Sequence, residues 1–192
     1  MTGLYRGVRA LLRALFALLF PIRVEGLEHF PATGAVMLCC NHISLRDPVL
    51  LIAVCPRMIR FMAKEELFHC KPFGWLLRHM GAFAVKRGES DLGSVRAALG
   101  VLQEGCVMGI FPQGHRDTQD QDRALKNGAA MIALRSRATV LPAHVAGPYR
   151  LFRPIRVSFY PPIALGDLQK AVNSHALVEA TARIEQGICK IT

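Results

Sequence analysis

Short apolar runs alternate with stretches of helical periodicity along most of the chain. AVMLCC (35–40), MIRFMA (58–63), AFAV (82–85), CVMGIF (106–111), TVLPAHV (139–145) and IRVSFY (155–160) are short and largely apolar, the pattern of strands in a covered sheet. Helical segments lie between and around them. Asp47 and Pro48 form an N-cap and first-turn pair that opens a helix through about Cys55. Lys71 to Met80 predicts a short helix stopped by Gly81. Ser90 caps a helix to about Glu104, with Leu92, Val95, Leu99 and Leu102 on one side. Gly114 to Arg123 is polar and predicts a loop; Asn127 to Arg137 and Ser174 to about Lys190 predict helices. Strands alternating with helices predict an α/β fold with a largely parallel central sheet flanked by helices. Sheets of this kind place their sites in the loops beyond the strand ends. Pro142 interrupts its run and predicts an edge strand or a bulge.

The N-terminus has a different character. In LYRGVRALLRALFALLF (4–20), Arg6, Arg9 and Arg13 fall within roughly 60° of one another on a helix, with Leu4, Leu11, Leu15, Leu18 and Leu19 mainly opposite. No acidic residue precedes Glu25. The apolar run after Arg13 is far short of the roughly 20 residues that span a bilayer, and no small-residue cleavage site follows it. The pattern predicts a basic amphipathic helix lying on a membrane surface, with Arg on headgroups and Leu and Phe among acyl chains. The competing expectation is a helix packed on the protein's own core. Pro21 ends the helix in either case. The expected organisation is a membrane-interface helix at 1–22 and a single α/β domain at 23–192.

Composition narrows the partners. With 24 Lys and Arg against 14 Asp and Glu, the 192-residue chain carries a formal charge of +10 and favours an anionic partner: a membrane, a phosphorylated small molecule or nucleic acid. One Trp, three Tyr and no zinc-finger, RNP or helix-turn-helix pattern argue against nucleic acid. The cysteines at 39, 40, 55, 70, 106 and 189 show no CxxC spacing and predict reduced thiols in a cytoplasmic compartment. Cys39, Cys40 and His42 lack the spacing of a tetrahedral metal site, and no metal is expected.

Four segments carry candidate chemistry. In NHISLRDP (41–48), His42 and Asp47 are too far apart around one continuous helix to touch. Their pairing requires His42 in the loop and Asp47 at or near the helix start, with one carboxylate oxygen on a helix N–H and the other on the imidazole. A histidine oriented in this way is a general base for a hydroxyl; alone, the segment also fits a simple cap and turn. Asn41 and Ser44 are expected to shape the site. In GAFAVKRG (81–88), Lys86 and Arg87 fit either a phosphate grip or a solvated basic turn. In GIFPQGHRD (109–117), a strand delivers Pro112, Gln113 and Gly114 into a turn that displays Arg116, a planar fork of donors suited to phosphate. In TVLPAHVAG (139–147), Pro142 is expected to shape the site wall, and His144 is read as a satisfied core or edge histidine.

In this order and spacing, NHISLRD, KRG, FPQGHR and VLPAHVAG resemble the four-block signature of the glycerolipid acyltransferase family, and within it the short bacterial 1-acylglycerol-3-phosphate acyltransferases. The matching region runs from about Val24 to Gly147. The resemblance implies that Asp47 orients His42, and that His42 takes the proton of the sn-2 hydroxyl of a lysophosphatidic acid. That oxygen then attacks the thioester of acyl-CoA or acyl carrier protein, giving phosphatidic acid. It further implies a phosphate grip of Lys86, Arg87 and Arg116, close backbone approach at Gly114, no cofactor or metal, and peripheral attachment at the cytoplasmic face of the membrane. Two positions depart from the pattern: Gln113 stands where the family's third block usually carries Glu and, a smaller departure, His115 where it carries Thr. A serine hydrolase is the nearest enzymatic alternative, but Gly88-Glu89-Ser90-Asp91-Leu92 lacks the final Gly of a nucleophile elbow. A non-catalytic lipid-binding scaffold has only Gln113 in its favour.

Overall fold

Among the described residues the sheet has seven strands, and five of them run in one direction. The computed structural model describes residues 3–85, 92–112, 119–170 and 172–189; side chains at 92, 119–127 and 189 fall outside the description. In chain order the elements are α1 (Gly3–Leu19), β1 (Ile22–Glu25), β2 (Val36–Cys40), α2 (Asp47–Val54), β3 (Ile59–Lys64), α3 (Lys71–His79), β4 (Phe83–Val85), α4 (Leu92–Gln103), β5 (Val107–Ile110), α5 (Gln119–Ser136), β6 (Thr139–Ala146), β7 (Ile155–Phe159) and α6 (Ser174–Cys189), with three short 3-10 turns. The strand order is β1-β7-β6-β2-β5-β3-β4. β2, β3, β4, β5 and β6 are mutually parallel, while β7 runs antiparallel to β6 and carries β1 parallel to itself.

Strand β2 is buried along its whole length because helices cover both faces of the sheet. Its side chains alternate: Val36, Leu38 and Cys40 enter one core with residues of α1 and α2, and Met37 and Cys39 enter the other with α4, α5 and α6. Cys39 and Cys40 therefore point to opposite faces and do not converge on one ligand. Burial raises the pKa of both thiols, as it does for Cys55. On the second face, α6 lays down Ala176, Ala180, Ile184 and Ile188 at four-residue spacing. On the first, α1 contributes Tyr5, Phe16 and, just beyond its end, Phe20. Leu4, Leu11, Leu15 and Leu18 of α1 stay exposed: one stripe of the helix packs on the core, and an adjacent leucine stripe faces outward. Among the described residues no helix is long and apolar enough to cross a membrane.

Three features differ from the sequence expectation. β6 is an interior strand, between β7 and β2, and its register with β2 runs unbroken through Cys39↔Pro142. Proline is tolerated there because strand alternation turns its missing N–H toward β7, just past the last paired residues, Ala143↔Phe159. On that side its carbonyl accepts from Tyr160 N–H at 3.0 Å. Second, α5 begins at Gln119 rather than near Asn127; QDQDR has no apolar stripe by which periodicity could mark those turns. Third, β1 has three exposed residues of four and so shows no apolar run. Gly26, which ends it with φ +70°, brings its backbone so close to the Phe159 carbonyl that a Cβ would collide with that oxygen.

Candidate functional site

The four segments leave the sheet from one edge, the C-terminal ends of parallel strands. β2 ends at Cys40 before Asn41 and His42, β4 at Val85 before Lys86, β5 at Ile110 before Phe111 and Pro112, and β6 at Ala146 before Gly147. β2 lies between β5 and β6, so the first segment is flanked directly by the third and the fourth. Lys86, Arg87, Gln113, Gly114 and Arg116 lie outside the described residues, as do Glu89 and Ser90.

The first segment folds around a buried carboxylate. Asp47 is the first residue of α2 and is 0% exposed. Its Oδ2 accepts from His42 Nδ1 at 2.8 Å, from Ile43 N–H at 2.8 Å and from Ser44 N–H at 2.7 Å. Its Oδ1 accepts from the Tyr149 hydroxyl at 2.6 Å. Arg46, not Asp47, stands at the cap position, and the carboxylate turns back onto the loop rather than forward onto helix N–H groups. Four donors converging on one side chain offset the desolvation of a buried anion. Because Nδ1 donates to Asp47, the basic lone pair of the neutral imidazole lies on Nε2.

The loop is tied to the sheet by its first residue. Asn41 is buried; its Nδ2 donates to the Val145 carbonyl at 2.9 Å, and its Oδ1 accepts from Val145 N–H at 2.7 Å. Ser44 gives its backbone N–H to Asp47, and its Oγ accepts from Arg46 N–H at 3.3 Å. The His42 ring stacks on Phe111, with centroids 4.3 Å apart and planes 23° apart, and Phe111 stacks on Phe61 at 5.7 Å and 6°. Gly109 of β5 makes room for this stack, since a Cβ there would run into the Phe61 ring. Pro112 is buried next to Phe111. Pro142 is buried on the opposite face of the sheet from Leu38 and Cys40, with its Cβ toward Gly187 of α6. His144 is partly buried on β6, opposite Ser158, and burial lowers its pKa.

Tyr149, Phe111 and Phe61 were not singled out as site residues in the sequence. Tyr149 stands just past the fourth segment, and an aromatic hydroxyl following a motif-bearing strand end is the one signal that could have pointed to it. Burial and the bond to Asp47 raise its pKa. Its carbonyl accepts from Arg46 Nη1 at 3.2 Å, and its ring meets Phe20 edge-on at 6.0 Å. Beside these residues opens a groove of about 570 Å³, lined by Leu12, Leu15, Phe16 and Leu19 of α1 together with Leu45, Arg46, Tyr149 and Leu151. Among the described residues no group of three or more His, Cys, Asp or Glu is placed to hold a metal ion.

The model of the family described as Acyltransferase matches residues 21–146. The chain is 33% identical over 146 residues to the 1-acyl-sn-glycerol-3-phosphate acyltransferase of Bacillus subtilis (strain 168), covering 76% of this chain and 72% of the relative. It is 29% identical over 188 residues to the protein of the same name from Streptococcus pneumoniae, covering 91% of this chain and 69% of that one. The crystal structure of the 1-acyl-sn-glycerophosphate (LPA) acyltransferase PlsC from Thermotoga maritima shares the fold, with a TM-score of 0.71 at 18% identity over 98% of this chain and 80% of that one.

Proposed function

The chain belongs to the acyltransferase family, and from that premise we propose that it acylates the sn-2 hydroxyl of 1-acylglycerol-3-phosphate to give phosphatidic acid in phospholipid synthesis. The observation that carries this reading is the imidazole of His42 held by a buried carboxylate, Nδ1 to Asp47 Oδ2 at 2.8 Å, in a loop at the C-terminal edge of a parallel sheet. Nε2 of His42 removes the proton from the glycerol hydroxyl as its oxygen attacks the acyl thioester. The C–O bond forms, the C–S bond breaks, and the proton passes from His42 to the departing thiolate. Asp47 stabilises the imidazolium in between. No acyl-enzyme and no cofactor enter this sequence, and the donor is acyl-CoA or acyl carrier protein.

Lys86, Arg87 and Arg116 hold the phosphate in this proposal, and Gly114 lets the backbone approach it. Gln113 puts a neutral amide where the third block usually carries a carboxylate. The apolar groove between α1 and Leu45–Leu151 has the size and lining to take an acyl chain. The outward leucines of α1, together with Arg6 and Arg13, fit a peripheral position on an anionic membrane.

The test is incubation of detergent-solubilised protein with lysophosphatidic acid and either acyl thioester, following thiol release and phosphatidic acid together. Wild type is expected to make both products and His42→Ala neither. Thiol release without phosphatidic acid would mean hydrolysis or another acceptor, and no turnover with either donor would refute the reading.

A further inference from the structure

The dyad has a third member that the family blocks do not include. Asp47 offers its His42-facing oxygen to three donors, and its other oxygen, Oδ1, accepts from the hydroxyl of Tyr149. Tyr149 reaches Asp47 from far along the chain, on the segment that follows β6. It is itself held at three points: its ring edge on Phe20, its carbonyl on the Arg46 guanidinium, and its hydroxyl on the carboxylate.

We infer that Tyr149 is a positioning residue for acyl transfer, acting through Asp47 to fix both the rotation of the carboxylate and the charge it presents to His42. A carboxylate turning about its Cβ–Cγ bond exchanges its two oxygens; a donor on Oδ1 and three on Oδ2 leave one favoured orientation. The hydroxyl also draws negative charge toward Oδ1, away from the oxygen that faces the imidazole. The phenol is suited to this duty because burial and the neighbouring carboxylate keep it protonated across the working pH range. Among the described residues the charged or titratable groups bearing on it are Asp47, Cys40 and Arg46. Cys40 is kept as a thiol by its own burial, so Asp47 and Arg46 supply the charge.

Without the hydroxyl, Oδ1 becomes a buried acceptor with no partner, and more negative charge rests on the oxygen facing His42. The imidazolium is then better stabilised, so the midpoint of His42 moves to higher pH. The carboxylate is also less well fixed. Tyr149→Phe keeps the ring against Phe20 and removes only the hydroxyl.

The inference rests on the acyl-transfer reading, and one experiment separates the two. His42 ring nitrogens are titrated by NMR in wild type and Tyr149→Phe, alongside pH profiles of kcat and KM for the lysolipid and the thioester. The expected result for Tyr149→Phe is an upward displacement of the His42 midpoint, a matching shift of the acid limb of kcat/KM, a fall in kcat of about tenfold, and unchanged KM values. Phe20→Leu, which loosens the ring's packing and keeps the hydroxyl, is expected to lower the melting temperature with the midpoint unmoved. A Tyr149→Phe protein whose His42 midpoint stays at the wild-type value would overturn the inference, whether or not its activity fell. Wild type that titrates as expected but transfers no acyl group would instead sink the acyl-transfer reading.

Discussion

The two helical layers on this sheet dispose of their apolar residues in different ways. On the α4–α6 side, α6 turns Ala176, Ala180, Ile184 and Ile188 into the core. Its outer face is polar around Arg183, which pairs with Asp167 and Glu179. Packing on the sheet and on α5 accounts for nearly all of that helix's hydrophobicity, Val178 being the main exception. On the α1–α2 side, α1 buries Tyr5 and Phe16 but leaves Leu11 67% and Leu18 73% exposed, with Leu45 and Leu151 also exposed across the groove. Apolar surface beyond what the core uses is thus set next to the loop that carries His42 and Asp47. One layer keeps its apolar residues in the core; the other borders the His42–Asp47 loop and carries the surplus apolar surface.

The contrast is easiest to break with mutations that should act on one layer and not the other. The largest effect expected is from Ile184→Ala on α6, which removes a residue 2% exposed. It should destabilise folding by about 2–5 kcal/mol in denaturant titration, while kcat at a temperature where the protein remains folded stays at the wild-type value. A drop in kcat without loss of stability would mean that the second layer is tied to the site after all. Next comes Leu18→Ser on α1. Folding stability should change by less than about 0.5 kcal/mol, whereas partitioning onto anionic vesicles should fall by roughly tenfold, about 1.4 kcal/mol. Equal partitioning in co-sedimentation would remove α1 from the proposed membrane face.

The smallest effect concerns His144, in the sheet between the layers. Its folded pKa lies below the ordinary 6.5 because burial disfavours the charged ring. The unfolded chain therefore binds the proton more readily, and the stability His144 contributes is present above pH 6.5 and lost as pH falls toward the folded value. Melting temperatures of wild type and His144→Gln should differ most above neutrality and draw together on acidification. A gap that widens toward acid pH would reverse the sign.

The strands and the order of the four segments were legible because buried parallel strands are written as continuous apolar runs, and because an Asp-Pro pair starts a helix. What escaped was set by contacts distant in sequence. The tolerance of Pro142 inside the sheet depends on where β7 stops, which β6 does not record. The turning of the Asp47 carboxylate onto Ile43 and Ser44 depends on loop closure over a residue that also reads well as a cap. Tyr149 reaches its partner across more than a hundred residues. The roles of Lys86, Arg87, Gln113, Gly114 and Arg116 belong to residues outside those described.

The Asn41 contacts have a mechanical consequence. Its amide imitates a peptide group, giving and taking the two bonds with Val145 that another rung between β2 and β6 would have made. The chain thus departs the sheet from a clamped fulcrum, and the lever arm from that fulcrum to the imidazole is a single peptide link. Any motion of the loop must pivot beyond Asn41, and the His42 ring inherits the stiffness of the sheet.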